Sequence, residues 1–154
     1  MQLTLTHEDL ISEGFRNRFI ARVMRDHQIN KELAERIING TLKFLNLCVD
    51  YPEQSFAPYK QIDIGWHTFL LYTREYADFC SKIAGRFIHH APNDKVVRRS
   101  SNASKTREFM IIHRIYFDDE LWPISTEYKK CDSDCDPGPQ GDCGEGDCNS
   151  EGNA

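Results

Sequence analysis

Residues 63–90 read Asp63-Ile-Gly-Trp-His-Thr-Phe-Leu-Leu-Tyr-Thr-Arg-Glu-Tyr-Ala-Asp-Phe-Cys-Ser-Lys-Ile-Ala-Gly-Arg-Phe-Ile-His-His90. One Trp, three His, one Cys, two Tyr and three Phe fall within this stretch. Nowhere else do side chains capable of chemistry crowd together with side chains that build a core. The spacing predicts helix from about Ile62 to Ala84, ended by Gly85, where a left-handed backbone suits glycine. Thr73-Arg-Glu reads as a second helix start with Thr73 as its cap, so a break near Tyr72 is expected.

The flanking sequence extends the helical reading. Thr6-His7-Glu8-Asp9 resembles a helix start, with Thr6 as cap and Asp9 near the positive end of the dipole. Phe15, Phe19, Ile20 and Val23 follow at helical spacing, interleaved with Arg16, Arg18, Arg22 and Arg25. Such a pattern is a solvated basic face opposite a core face, although Arg-rich helices can also meet membranes or RNA. Asn30 to Cys48 is the clearest helix: Asn30 caps it, and Leu33, Ile37, Ile38, Leu42, Leu45 and Leu47 supply its apolar stripe. Gly40 lies mid-helix and marks a close contact or a kink. Cys48 reads as a small buried hydrophobe. Pro52 and Pro58 make residues 51–60 a loop. Ala91 to Lys105 reads as a polar mobile loop, and Thr106 to Phe117 as another helix. Leu121-Trp122-Pro123-Ile124 is expected to fold back as an apolar latch.

From Cys131 the composition changes. The tail carries seven acids and no Lys or Arg, leaving 17 acids against 19 bases in residues 1–130. It has no aromatic residue and no Val, Leu, Ile or Met. Such a segment cannot bury enough surface to offset the entropy of its own ordering. The expected organisation is therefore an all-α domain over residues 1–130, a compact bundle of four or five helices. A disordered acidic Cys/Gly-rich tail over 131–154 follows it.

Composition also bounds function. The body is near neutral with one short basic patch, Lys95 to Arg99, and the tail is acidic, so nucleic acid is not the expected partner. The apolar runs are too short to span a bilayer. The N-terminus does not read as a signal peptide, which makes the cytoplasm the expected location.

The central stretch holds the first candidate site. On a helix, Asp63 and His67 lie four residues apart on one face. Asp63 can therefore fix the His67 tautomer from behind, as carboxylates do for metal-ligating histidines. Tyr76 and Cys80 share the same spacing. His89 and His90 follow Gly85, where the chain can turn back toward His67 and Cys80. His67, Cys80, His89 and His90 together offer the nitrogen and sulfur donors that zinc accepts, with Asp63 and Tyr76 behind them. Two other readings stand beside this one. In the first, His67 is a hydrogen-bonded histidine beside Trp66 and Cys80 is core filling. In the second, His67 and Cys80 form a catalytic pair in a small zinc or thiol enzyme.

The same residues carry a resemblance. Ile62-Asp63, Trp66-His67, Tyr76, Cys80 and Gly85 match the signature of the glycine-rich domain-containing proteins, over roughly residues 33–124. That family often has Pro at the position of Thr73 and a second His at the position of Phe69. Some members lack histidines at the positions of His89 and His90. The resemblance implies a helical domain, with Cys/Gly-rich tails frequent in bacterial members, and specifies no activity.

The tail is the second candidate site. Cys131, Cys135, Cys143 and Cys148 can supply four thiolates to one zinc or to monovalent copper. The interleaved acids disfavour free thiolates, and a bound metal's charge would offset that repulsion. A helical body bearing a short Cys-rich terminus is also the layout of a precursor whose end is altered by a modifying enzyme. The chain contains no phosphate loop, no nucleophile elbow and no H-E-x-x-H. The expected function is therefore a non-enzymatic helical interaction module with an unidentified protein partner. Its cysteine tail would bind a soft metal or be modified.

Overall fold

The computed structural model describes residues 7–91 and 99–124. They form five α-helices and no strand, as the apolar periodicity predicts. The chain divides into two compact units, Met1–His90 and Ala91–Ala154. The tail cysteines and, of the basic patch from Lys95 to Arg99, residues 95–98 lie outside the described residues. No helix among the described residues is long and apolar enough to cross a membrane.

In the first unit a short 3-10 turn, His7–Leu10, precedes α1, Glu13–His27. The expected cap, Thr6, lies outside the described residues, and the α-helix itself begins only after Ser12. Ser12 is the working cap, its side chain accepting from the Phe15 N–H at 3.2 Å. Such a cap satisfies one of the four amide donors that a helix start leaves without partners. Phe15, Phe19, Ile20 and Val23 are the buried residues of α1. Its arginines hold polar partners: Arg18 meets Glu75 at 2.8 Å, Arg22 meets Asp26 at 2.5 Å, and Arg16 bonds Asn39.

Helix α2, Lys31–Asp50, starts at Asn30, whose side chain accepts from the Leu33 N–H at 2.8 Å. Ile37, Ile38, Leu42 and Leu45 on its core face are almost fully buried. Helix α3, Lys60–Leu71, packs against both α1 and α2. At Gly65, α3 packs tightly against α2. A Cβ there would stand 2.0 Å from Thr41 Oγ1 and 3.0 Å from Ile37 Cγ2. Gly65 is therefore required by space, since its backbone takes no left-handed conformation. The Thr41 hydroxyl donates within α2 to the Ile37 carbonyl at 2.8 Å and reaches the Ile62 carbonyl of α3 at 3.3 Å.

The expected break falls at Tyr72, with φ −93° and ψ 68°. Helix α4 begins at once and spans Thr73–Ala84. Thr73 is its first residue; Tyr72 occupies the cap position and makes no side-chain cap bond. The Tyr72 ring instead packs edge-on against Phe15 at 5.2 Å. Phe19, Phe69, Tyr76 and Phe79 complete this aromatic core, each fully buried. Gly85 ends α4 with φ 66°, and its N–H donates to the Ser81 carbonyl at 3.0 Å.

The second unit contains α5, Arg99–Ile112. Residues 99–105, expected as loop, are helical, and the helix ends five residues before Phe117. Its buried stripe is Ala103, Thr106 and Met110, where two small side chains give little apolar signal. Arg114, with φ 55°, terminates it, and the Ile115 N–H closes back on the Met110 carbonyl at 2.8 Å. In the segment expected as an apolar latch, Leu121 and Trp122 are buried and Ile124 is 52% exposed. Arg107 of α5 holds this segment, donating to the Trp122 carbonyl at 2.7 Å and meeting Asp119 at 3.2 Å.

Candidate metal centre

Asp63 and His67 stand one turn apart on α3, and His67 Nδ1 lies 3.4 Å from Asp63 Oδ2. Asp63 sits in the first turn, where the positive end of the helix dipole suits a carboxylate. The third member arrives from the segment after Gly85. His90 Nε2 lies 3.0 Å from Asp63 Oδ1. One carboxylate thus presents an oxygen to each of two imidazoles, whose ring centroids are 4.4 Å apart. One ligand atom from each of Asp63, His67 and His90 can be chosen so that all lie within 4.8 Å of one another. His67 is 53% exposed, whereas Asp63 and His90 are 16% and 13% exposed.

A chain of hydrogen bonds fixes the arrangement. Trp66 Nε1, beside His67 on α3, donates to the Tyr76 hydroxyl of α4 at 2.9 Å. That hydroxyl donates onward to the Ile88 carbonyl at 2.6 Å. Three pieces of chain are pinned together two residues before His90. Burial pushes the Tyr76 phenol above its usual ionisation range, with the Trp66 hydrogen bond pulling the other way, so it stays a donor. The Trp66 ring also stands edge-on to His90 at 4.3 Å and backs onto Phe44 at 5.6 Å.

The parity of this segment separates the two neighbouring histidines. Ile88 is buried, His89 is exposed and His90 turns inward. His89 packs on Phe87 at 4.9 Å and stands outside the group of three. Cys80 also stands outside it, fully buried on the core face of α4. Burial pushes the Cys48 thiol up to about 12, which leaves it protonated and a poor nucleophile at neutral pH. Of the expected donors, the fold therefore joins His67 and His90. Asp63, expected behind the donors, stands among them, and Tyr76 acts on the backbone at Ile88. The Trp66–Tyr76–Ile88 link was not foreseen; its only sequence trace is an indole and a phenol flanking the helix break.

Two imidazoles and one carboxylate suit a borderline divalent ion such as zinc. As it stands, the hydrogen bond between His90 and Asp63 also ties the post-α4 segment to α3. No curated protein and no solved structure matches the chain. A family model does match, the UCP032817-like model, over residues 4–116, which takes in α1 to α5 and all three donors. The chain belongs to the UCP032817-like family.

Proposed function

We propose that the protein is a helical module that holds one divalent metal ion, zinc by preference, between Asp63, His67 and His90. The observation that carries this reading is the convergence of three donors from two separate segments to within 4.8 Å. An ion there would replace two histidine–carboxylate contacts and staple the segment after α4 to α3. The donor set lacks sulfur, so it selects against monovalent copper. The cysteines at 131, 135, 143 and 148 form a separate, softer donor set in this proposal, open to copper or to a modifying enzyme. Kinship with the glycine-rich domain-containing proteins belongs to the same proposal and rests on Trp66-His67, Tyr76 and Cys80. A thiol enzyme built on His67 and Cys80 is disfavoured by the full burial of Cys80.

The test uses the full chain with Cys131, Cys135, Cys143 and Cys148 each changed to Ser, so that the tail contributes no thiolate. After dialysis against zinc and then against buffer, elemental analysis should find one zinc per chain. Asp63→Asn in that background should lose it while keeping its helical circular dichroism. A folded parent chain that emerges free of zinc would overturn the proposal and leave the hydrogen-bonded cluster as the sole role.

A further inference from the structure

We infer that an ion held by Asp63, His67 and His90 keeps coordination positions open on its His67 side, and that these take a small oxyanion through a carboxylate or phosphate oxygen. The inference rests on the metal-binding reading above and concerns what that site recognises. Three observations converge on it.

The first is the number of donors. Zinc in a closed structural site takes four protein ligands, whereas sites that act on exogenous groups take three and leave the fourth position to water or substrate. Among the described residues the group contains three, and no further His, Cys, Asp or Glu joins it. The second is direction. Asp63 and His90 are recessed, and the edge contact of Trp66 closes the His90 flank. His67, half exposed, forms the rim. Among the described residues, solvent therefore reaches an ion between them from the His67 side. The third is charge. A divalent ion with one carboxylate and two neutral imidazoles carries a net charge of about +1, which a single anionic oxygen neutralises. The exchange is simple in its balance: a bound water leaves and the oxyanion oxygen enters, with no change of oxidation state.

Cobalt(II) reports each step separately, because its visible spectrum responds to the number and kind of ligands. The full chain with the four tail cysteines changed to Ser is loaded with cobalt and freed of excess by gel filtration. Acetate and inorganic phosphate are then titrated in, each alone. The expected result is a saturable spectral change in the millimolar range that is absent from cobalt in buffer. A response to acetate alone assigns the open position to carboxylates, and a response to phosphate alone assigns it to phosphoryl groups. Cobalt that stays bound with a spectrum unmoved by either anion overturns this inference and leaves the metal site standing. Failure of the chain to retain cobalt overturns the metal reading, and this inference with it.

Discussion

The two faces of α3 are built by opposite means. The inner face is a matter of space: Gly65 lets α2 approach until only a hydrogen fits beside Thr41. The outer face is a matter of polar donors: Asp63 and His67 stand on it within two residues of that contact. The inner face carries close packing and the outer face carries the polar group, yet they are not independent. A shift of α3 at Gly65 moves Asp63 and His67 with it. The comparison also shows where precision comes from. His67 needs only helical periodicity to meet Asp63, whereas His90 needs the Trp66–Tyr76–Ile88 chain.

Gly65→Ala breaks the comparison most severely. The added methyl cannot fit beside Thr41 Oγ1 at 2.0 Å, so a stability loss of about 3 kcal/mol is expected in denaturant melts. Adding Thr41→Ala removes the closest atom and should restore part of the loss. An unchanged melting curve for Gly65→Ala would mean that the helices are not held at this distance.

Tyr76→Phe tests the link between faces. It leaves the buried Trp66 Nε1 and the Ile88 carbonyl without their partner, at a cost of about 2 kcal/mol. Because His90 then loses its anchor, zinc affinity should also fall, by about tenfold, as for groups that orient metal ligands elsewhere. A stability loss with full zinc affinity would show that His90 is placed by other contacts.

His90→Ala should act almost wholly on the outer face. The stability change is expected to be about 1 kcal/mol or less, as for one hydrogen bond at a partly solvated site. Acid should imitate it, because imidazole must be neutral to bind a metal, so zinc is released as the pH falls. A zinc affinity that does not weaken in acid would exclude histidine ligands.

The smallest effect concerns Cys48. Its folded-state value is raised, so the unfolded chain releases the thiol proton first. The stability it contributes is present below about 9 and is lost as the pH rises toward about 12. Cys48→Ala should make that alkaline loss shallower, and native Cys48 should react with iodoacetamide far more slowly than in denaturant. Fast alkylation of the native thiol would revive a thiol chemistry.

Local signals carried much of the fold. The Asn30 cap, the apolar stripes of α1 and α2, the break at Tyr72 and the left-handed Gly85 all follow from residue chemistry within one turn. The signal failed at the start of α1, where Thr6-His7-Glu8-Asp9 resembles a helix start but the α-helix begins after Ser12, behind the 3-10 turn at His7–Leu10. It also failed where burial uses small residues, as at Ala103 and Thr106 in α5. Gly40 drew notice for its place in a helix, while the glycine that matters for packing was Gly65, whose neighbour Thr41 is 24 residues away. The candidate site divides in the same way. Asp63 with His67 was legible from a spacing of four. Choosing His90 over His89 required the burial of Ile88, which sets the parity of the segment and depends on a phenol twelve residues earlier.

Zinc titration of variants of the adjacent histidine pair separates a metal site at His90 from a purely structural contact. Calorimetry on the full chain with its four tail cysteines changed to Ser should show a single zinc site. His89→Ala should retain that site with its affinity unchanged, and His90→Ala should abolish it. Equal zinc binding by His90→Ala and the parent chain would rule out His90 as a ligand.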